Sequence, residues 1–341
     1  MTRSLPLLTT SASARYRSCP RSYWYAYEEC VRPVYVDESR EFGTLGHRGL
    51  EVYMLALRDG AKPLEAVERG MAEIQRIENP FTREAHLNLL CGYHSRWENS
   101  GLTVLAVEQQ YVTTLRNPAT GAASRTWDHA GKIDAIVRDQ AGDVWVLDHK
   151  FTTMQFGPGS DYRTSLLLDP QVSNYLLGAR SLGYQPVGWI HDVIKRPAMR
   201  PLKATPLEAR KYVQKTGALY ANQRAEDETP EEHGERIAAS ILSEPDDWYD
   251  RIPVHRLDDE EREAAFDLWQ VGRQIADSRA DRAWPRNPRS CQQYGRACDY
   301  LPLCTGTASL EDQTRYRRAK RAHEELEEVR TESEQQERRA S

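Results

Sequence analysis

Two runs near the middle of the chain have the pattern of apolar and polar residues that is typical of β-strands. Ile133, Ala135 and Val137 alternate with polar or charged neighbours. The run from Val144 to Leu147 is apolar and rich in β-prone residues. Residues 139–143 between the two runs contain a glycine and have the composition of a turn. The pattern therefore predicts a β-hairpin.

Helical and extended patterns also alternate along the rest of the chain. Residues 11–29, 43–99 and 170–183 are largely helical, residues 102–150 contain three strand-like runs, and residues 186–195 form another. This order predicts an α/β protein with a mixed central β-sheet flanked by helices. The core of the fold would lie at about residues 100–200, after a helical N-terminal region.

Two further stretches follow this predicted core. Residues 206–280 are largely helical with polar interruptions, and we interpret them as a helical insert. Residues 306–341 are dense in Arg, Glu and Gln, which predicts a charged, solvated tail without a catalytic role. The chain has 341 residues, of which 39% are hydrophobic, so it can bury a large core in one elaborated domain or in two small ones. We interpret residues 1–305 as one domain.

Charged residues lie at the ends of the two predicted hairpin strands. Asp134 directly follows Ile133, and Asp148 and Lys150 follow the apolar run of the second strand. On a hairpin the two carboxylates come close together, and Lys150 faces the same side as Asp148 because it lies two residues further on. Carboxylates are the ligands that Mg²⁺ prefers, and the ion can activate a water and polarise a phosphate. Taken alone, Asp-x-Lys is more typical of a surface ion pair.

Two helical stretches carry further candidate residues. His47 lies on the first turns of a helix predicted to begin near Gly43. The pair Asp169-Pro170 is typical of a helix start, and Gln171 and Tyr175 then lie at positions i and i+4 on one face. Each of these helices, taken alone, would be an ordinary amphipathic helix.

The cysteines form a second pattern. Cys291, Cys298 and Cys304 are grouped near the C-terminal end, and Cys19 precedes a proline and a Tyr-rich helical stretch. Four thiolates can bind an iron-sulfur cluster or zinc, and the absence of short C-x₂₋₄-C pairs favours a cluster. Disulfides are the least favoured reading, because the sequence has no secretory signal or membrane-spanning run and is predicted to be cytoplasmic. The other two cysteines are interpreted as ordinary thiols, although Cys30 is close enough to Cys19 to be a rival ligand.

Together these motifs resemble a RecB-type member of the PD-(D/E)xK nuclease superfamily. The resemblance is to the branch whose four cysteines bind a [4Fe-4S] cluster, as in AddB and the CRISPR-associated RecB-like exonucleases. It spans nearly the whole chain in the family's order: Cys19-Pro20, Gly43-Thr44 with His47, Gly131-x-x-Asp134, Asp148-x-Lys150, Gln171-x-x-x-Tyr175 and the three C-terminal cysteines. Each motif is weak, but six in order are specific. The resemblance implies a restriction-endonuclease-like core and a C-terminal iron-sulfur segment.

The resemblance also implies roles for the matching residues. Asp134, Asp148 and Lys150 would be catalytic, and the metal ligands would be His47, Asp134, Asp148 and the backbone carbonyl of His149. Gln171 and Tyr175 would bind the DNA strand, and Cys19, Cys291, Cys298 and Cys304 would bind the cluster. Glu108 would be a further acidic contributor. His149 departs from the family, in which an aromatic or apolar residue is more usual, so its side chain is expected to face nucleic acid or solvent.

The formal charge of -5 excludes a globally basic DNA-binding protein, so any DNA groove must be local. The sequence contains no phosphate-binding loop of a helicase motor. The implied function is a Mg²⁺- or Mn²⁺-dependent exonuclease acting on single-stranded DNA or free DNA ends in recombination, repair or phage DNA metabolism. Its partner besides DNA would be a helicase, recombinase or integrase, with no role for a membrane. Two alternatives stay open: a nuclease that trims spacers in CRISPR adaptation, and a DNA-end-binding scaffold that has lost cleavage.

Overall fold

The structure, a computed structural model, describes residues 5–35, 37–293 and 295–326. The strands are β1 (Leu7–Thr9), β2 (Val31–Pro33), β3 (Thr103–Arg116), β4 (Ala123–Arg138), β5 (Val144–Thr152), β6 (Pro186–Lys195), β7 (Tyr249–Val254), β8 (Gln292–Gln293), β9 (Arg296–Ala297) and β10 (Tyr316–Arg318). The helices are α1 (Thr10–Ser18), α2 (Pro20–Tyr23), α3 (Glu38–Arg58), α4 (Pro63–Ile74), α5 (Pro80–Trp97), α6 (Asp161–Leu166), α7 (Pro170–Ser181), α8 (Pro230–Ser243), α9 (Asp258–Asp281) and α10 (Leu301–Thr305). A π-helical segment continues α2 through Trp24–Glu28.

The main sheet has six strands and is built around the long strand β4. One edge of β4 pairs with antiparallel β3 along most of its length. The other edge is shared: β1 pairs with residues 128–130 in parallel, and β5 pairs with residues 135–138 in antiparallel orientation. Strand β6 is parallel to β5, and β7 is antiparallel to β6. On this edge, residues 131–134 of β4 pair with neither β1 nor β5, and the sheet opens at this point.

Helices cover both faces of this sheet. On one face α3, α4, α5 and α8 form a core around Tyr53, Leu90 and Tyr93. On the other face Val172 and Leu176 of α7 pack against the sheet. Strand β6 is buried along almost its whole length, as expected for a central strand with both faces covered. The prediction of a mixed sheet flanked by helices is confirmed.

The local predictions in the core are confirmed as well. The hairpin turn is closed by a hydrogen bond of 3.0 Å from the Asp139 amide to the Asp143 carbonyl, and Gly142 has a φ of 96°. The three predicted strands, the helix α7 and the strand β6 lie within a few residues of their expected bounds. Helix α3 begins at Glu38, earlier than expected, because Asp37 caps it by accepting bonds from two backbone amides.

The region interpreted as a helical insert, residues 206–280, contains more than helices. Helices α8 and α9 lie within it, but Tyr249–Val254 forms β7 at the edge of the main sheet. Its buried residues Tyr249, Ile252 and Val254 are interrupted by charged residues and a proline, which obscures the strand pattern. The core sheet therefore extends beyond residue 200. The division of the chain into domains stays a prediction.

The two ends of the described chain meet on the same side of the molecule. Strand β10 pairs with β2, although the sequence placed residues 316–318 in a solvated tail. Leu326 is 2% exposed and packs with Leu7 and Ala130. This segment is ordered by a few apolar residues, among them Tyr316, which lies 4% exposed beside Tyr300. The predicted tail beyond Leu326 lies outside the described residues.

Candidate active site

The opening of the sheet between β1 and β5 forms a cleft with a volume of about 420 Å³. Its floor contains Asp134 on β4 and Asp148 and Lys150 on β5. The N-terminus of α7 contributes one wall, with Gln171 and Tyr175. The structure thus brings five of the predicted site residues into one cleft.

Asp134 is held from two sides. Its Oδ2 accepts a hydrogen bond of 2.9 Å from the backbone amide of His149 and lies 3.3 Å from Nδ1 of His47. Burial alone would raise the pKa of Asp134, but the polar neighbours His47, His149 and Lys150 hold it below its usual value. Asp134 is therefore ionised and able to act as a metal ligand.

His47 reaches this carboxylate because α3 lies close to β5. A Cβ atom at Gly46 would overlap the ring of Phe151, so only glycine permits this approach. Burial lowers the pKa of His47 to about 4, and neutral imidazole is the form that binds metals. The structure thus places His47 beside Asp134. The role of His47 as a metal ligand stays a prediction.

Asp148 is more deeply buried, at 2% exposure. Its Oδ1 accepts a bond of 3.3 Å from Nε2 of Gln171, and its Oδ2 forms an ion pair with Lys150. That Oδ2 accepts no well-aligned hydrogen bond from any residue that the structure describes. Burial raises the pKa of Asp148 to about 7, with Lys150 opposing the shift and Asp134 adding to it. An additional positive charge in the cleft would stabilise the ionised carboxylate.

Lys150 and Tyr175 complete the accessible side of the site. Burial would lower the pKa of Lys150, but Asp148 and Asp134 raise it above its usual value, so the side chain is an ammonium. Burial and the charge of Asp148 raise the pKa of Tyr175 to about 12, so it stays a neutral phenol. The N-cap Asp169 fixes the first turn of α7 with a bond of 2.8 Å to the amide of Gln171.

The sequence suggested that the side chain of His149 faces nucleic acid or solvent. The structure instead buries it. It is 3% exposed, and its Nδ1 lies 2.8 Å from Oδ2 of Asp192. Side chains alternate along a strand, so Asp148 and Lys150 face the cleft while His149 faces the covered side of the sheet. The expected role of the His149 carbonyl as a metal ligand stays a prediction.

Two cleft features carried little or no signal in the sequence. Glu108 on β3 forms an ion pair with Lys132 on β4, and burial, with smaller effects of Asp134 and Glu51, raises its pKa despite Lys132. Its φ of 51° is unusual for a residue other than glycine and marks a local irregularity beside the site. Thr10 and Ser11, at the start of α1, line the opposite wall. Glu108 was named from the sequence, whereas the positions of Thr10 and Ser11 become clear only from the pairing of β1 with β4.

The donor set suits a hard divalent cation. Two carboxylates and a neutral imidazole converge, and the buried Oδ2 of Asp148 lacks a well-aligned protein donor among the described residues. As they stand, however, the described residues include no group of three or more His, Cys, Asp and Glu side chains that could hold a metal ion. Metal binding would therefore require the side chains of Asp134, Asp148 and His47 to rearrange.

The predicted cluster cysteines lie near one another. The Ser18 carbonyl, next to Cys19, accepts bonds from the side chains of Asn287 and Ser290, next to Cys291. Burial raises the pKa values of Cys298 and Cys304, and a charge on Cys19 would raise both further. All six cysteines are free thiols. Within the described ranges, however, these thiols do not form a group of three or more side chains that could hold a metal ion. They are neighbours that are not arranged around a cluster.

Comparison with known proteins identifies the superfamily. A family model for the PD-(D/E)XK nuclease superfamily matches residues 8–305, and the chain belongs to this superfamily. PD-(D/E)XK nucleases use divalent metals, so membership of this superfamily points to a metal-dependent nuclease.

Comparison of the fold and of the sequence adds little further detail. A solved structure described as "Crystal structure of SSO0001" is 14% identical over 71% of this chain and 78% of its own, but its TM-score of 0.26 is too low for any argument. No curated protein matches the chain. None of the helices in the described part of the chain combines the length and hydropathy that a membrane span requires.

Proposed function

We propose that this protein is a Mg²⁺- or Mn²⁺-dependent DNA exonuclease that hydrolyses phosphodiester bonds at DNA ends. The observation that carries the proposal is the convergence of Asp134, Asp148 and Lys150 in one cleft, with His47 against Asp134. These side chains come from α3, β4 and β5, and the fold leaves them at an opening rather than in a closed core.

In this proposal the residues divide into metal ligands, a catalytic lysine and a residue that supports Asp148. Asp134, Asp148 and His47 hold the cation, which when bound polarises a phosphate oxygen and lowers the pKa of a water. The Lys150 ammonium orients the attacking water or neutralises charge that develops on the phosphate. Gln171 holds Asp148 in place through their hydrogen bond.

The shape of the cleft supports action on a strand end. It lies between the start of α1, the start of α7 and Leu326. Tyr175 lines the cleft and offers a ring on which an unpaired base can stack. A helicase, recombinase or integrase partner stays a prediction from the sequence.

The test uses end-labelled linear DNA and closed circular DNA, each single-stranded or double-stranded. Wild type is expected to degrade linear DNA with Mg²⁺ or Mn²⁺ but not with EDTA, and Asp148→Ala is expected to be inactive. The exposed Asp227, which pairs with Lys203 at the surface, gives the matched control Asp227→Ala. Cleavage of the circles at the same rate would contradict the exonuclease assignment, and a folded but inert wild type would favour the scaffold.

We also propose that Cys19, Cys291, Cys298 and Cys304 bind a [4Fe-4S] cluster. The proposal is supported by their free thiols and by the contacts that hold the segments around Cys19 and Cys291 together. The cluster would need a rearrangement of these side chains and would link the two ends of the fold, so its role would be structural.

The test for the cluster is the iron, sulfide and zinc content of anaerobically purified protein. Four irons per chain with a broad absorbance near 400 nm are expected, both lost in Cys298→Ser. The matched control Cys91→Ser changes a cysteine on α5, away from the four. Stoichiometric zinc without sulfide would contradict the cluster and support the zinc alternative.

A further inference from the structure

A row of polar residues crosses three adjacent strands directly behind the cleft. His149 on β5 is in register with Asp192 on β6, and Asp192 is in register with Arg251 on β7. Asp192 is fully buried at 0% exposure, and His149 is 3% exposed. Tyr93 of α5 covers the row and is itself 1% exposed. The row lies on the sheet face opposite to the cleft.

The contacts within the row are continuous. Nδ1 of His149 donates to Oδ2 of Asp192 over 2.8 Å, which fixes the tautomer of the ring because a carboxylate can only accept. The Tyr93 hydroxyl donates to the same oxygen, and Nε of Arg251 lies 3.3 Å from Oδ1. Arg251 also donates to the Tyr93 hydroxyl over 3.0 Å and stacks on Trp97 at 4.3 Å.

A backbone group of His149 connects this row to the cleft, and the His149 ring also contacts the ring of His47 edge to face, with the ring centroids 6.1 Å apart. The pairing between β4 and β5 reaches Ala135 opposite Leu147, one residue short of Asp134. The next contact between these strands is the His149 amide, which donates to the Asp134 carboxylate. Asp148 and Lys150 are the direct neighbours of His149 in the chain. Anything that fixes the His149 ring therefore fixes the backbone that carries Asp148 and Lys150 and the amide that holds the Asp134 carboxylate.

The stability of the fold alone does not explain why this polar row is buried. Desolvation would raise the pKa of Asp192, but Arg251, His149 and Tyr93 hold it below its usual value, so a charge is kept inside the protein. Apolar residues of similar volume often give equal or greater stability than such buried charged networks. A role beyond stability is thus the simpler explanation for three polar residues at one level of the sheet.

We propose that Asp192 is a positioning residue: through His149, it holds Asp134 and Asp148 in the geometry that binds the divalent cation. This inference rests on the proposed function of the cleft and adds a residue that touches neither metal nor DNA. Partners that orient metal-binding groups from behind typically contribute about 10–100-fold to metal affinity or activity. Asp192 would act in this way on carboxylates, through the strand backbone.

The test compares wild type with Asp192→Asn, which keeps the size of the side chain but removes its charge and one of its acceptor oxygens. Direct Mn²⁺ binding is measured by electron paramagnetic resonance without DNA, and backbone hydrogen exchange is measured in EDTA for the peptide around His149. We expect Mn²⁺ affinity and kcat to fall about 10–100-fold, the KM for DNA to stay unchanged, and the His149 amide to exchange faster.

The control variant removes a similar carboxylate at a distance from the cleft. Glu228 is 4% exposed, contacts His233 at 3.4 Å and binds Arg236 at 2.8 Å, so Glu228→Gln changes the same kinds of partners. It is expected to lower stability and leave Mn²⁺ affinity unchanged. A drop in affinity in both variants would mean that Asp192 acts only on overall stability and would overturn the inference.

A pair of substitutions at His149 gives a second test if Asp192→Asn does not fold. Asn offers a side-chain N–H near the position of the His149 Nδ1, whereas Phe keeps an aromatic ring without a donor. His149→Asn should therefore lose less Mn²⁺ affinity than His149→Phe. Equal losses of Mn²⁺ affinity in His149→Asn and His149→Phe would overturn the inference and leave the proposed function standing. Unchanged Mn²⁺ binding in Asp192→Asn would have the same meaning. Wild type that binds no Mn²⁺ would overturn the proposed function and the inference with it.

Discussion

Two buried carboxylates in this molecule have opposite surroundings. Both oxygens of Glu228, just before α8, accept hydrogen bonds of 2.8 Å from Arg236, and Oε2 also accepts one of 2.7 Å from the Leu202 amide. Asp148 in the cleft accepts a single weak bond from Gln171 and pairs with Lys150. The pKa of Glu228 is lowered to about 2, first by Arg236, whereas burial raises that of Asp148 to about 7.

This difference indicates that Glu228 is a structural carboxylate, whereas Asp148 can still bind a ligand. Glu228 is satisfied by protein donors, so its charge stabilises the folded state. Asp148 is ionised at a cost, because burial and Asp134 oppose its charge. In a cleft that also contains His47 and Asp134, this cost is offset when a cation binds.

After the loss of Asp148 itself, the largest effect is expected from Lys150→Ala. The ammonium lies against Asp148 in the cleft, where a preorganised charge is worth about 10²–10³-fold in kcat. Single-turnover cleavage of linear DNA at saturating Mg²⁺ measures this change. The control Lys203→Ala removes a lysine whose side chain is 78% exposed and should be as active as wild type. A Lys150→Ala variant with wild-type kcat would show that the cleft is not the catalytic centre.

The next effect is a pH dependence of metal binding that Glu228 would not produce. Because the pKa of Asp148 is raised to about 7, the carboxyl is protonated below that pH and the metal must displace the proton. Mn²⁺ affinity should therefore fall about tenfold for each pH unit below 7. His47, with a pKa lowered to about 4, stays neutral over the same range. Mn²⁺ titrations on either side of pH 7 test this, and a flat profile would contradict the assigned state of Asp148.

The smallest effect concerns stability alone. Glu228→Gln should lower the free energy of unfolding at neutral pH by about 1–3 kcal/mol, because it breaks charge-assisted bonds to Arg236. The folded pKa of about 2 lies below the usual 4.5, so this contribution is complete above 4.5 and is lost as the pH falls towards 2. Urea denaturation of both proteins at several pH values measures the difference. A constant difference down to pH 2 would contradict the assignment.

The central hairpin could be predicted from the sequence because its signals are local. Alternation around Ile133, the turn at Gly142 and the run before Asp148 lie within a short stretch, and strand geometry then places Lys150 beside Asp148. The helix start at Asp169 is equally local, so Gln171 and Tyr175 could be assigned to one face.

The features that the sequence missed depend on distant partners. Strands β1 and β7 are short edge strands whose identity comes from pairing with β4 and β6. His149 was expected to face nucleic acid or solvent because its residue type departs from the family pattern. Its true partner, Asp192, lies 43 residues further along the chain, where no local pattern points to it. Leu326 likewise becomes a wall of the cleft only through its contacts with Leu7 and Ala130.

The most direct test of this account is the position of a bound metal. Crystals soaked in Mn²⁺ would reveal the ion by anomalous scattering. The account predicts one strong peak between the carboxylates of Asp134 and Asp148 and within reach of His47, absent in Asp148→Ala. A nuclease that is active with Mn²⁺ but binds its ion elsewhere, or gives the same peak in Asp148→Ala, would contradict it.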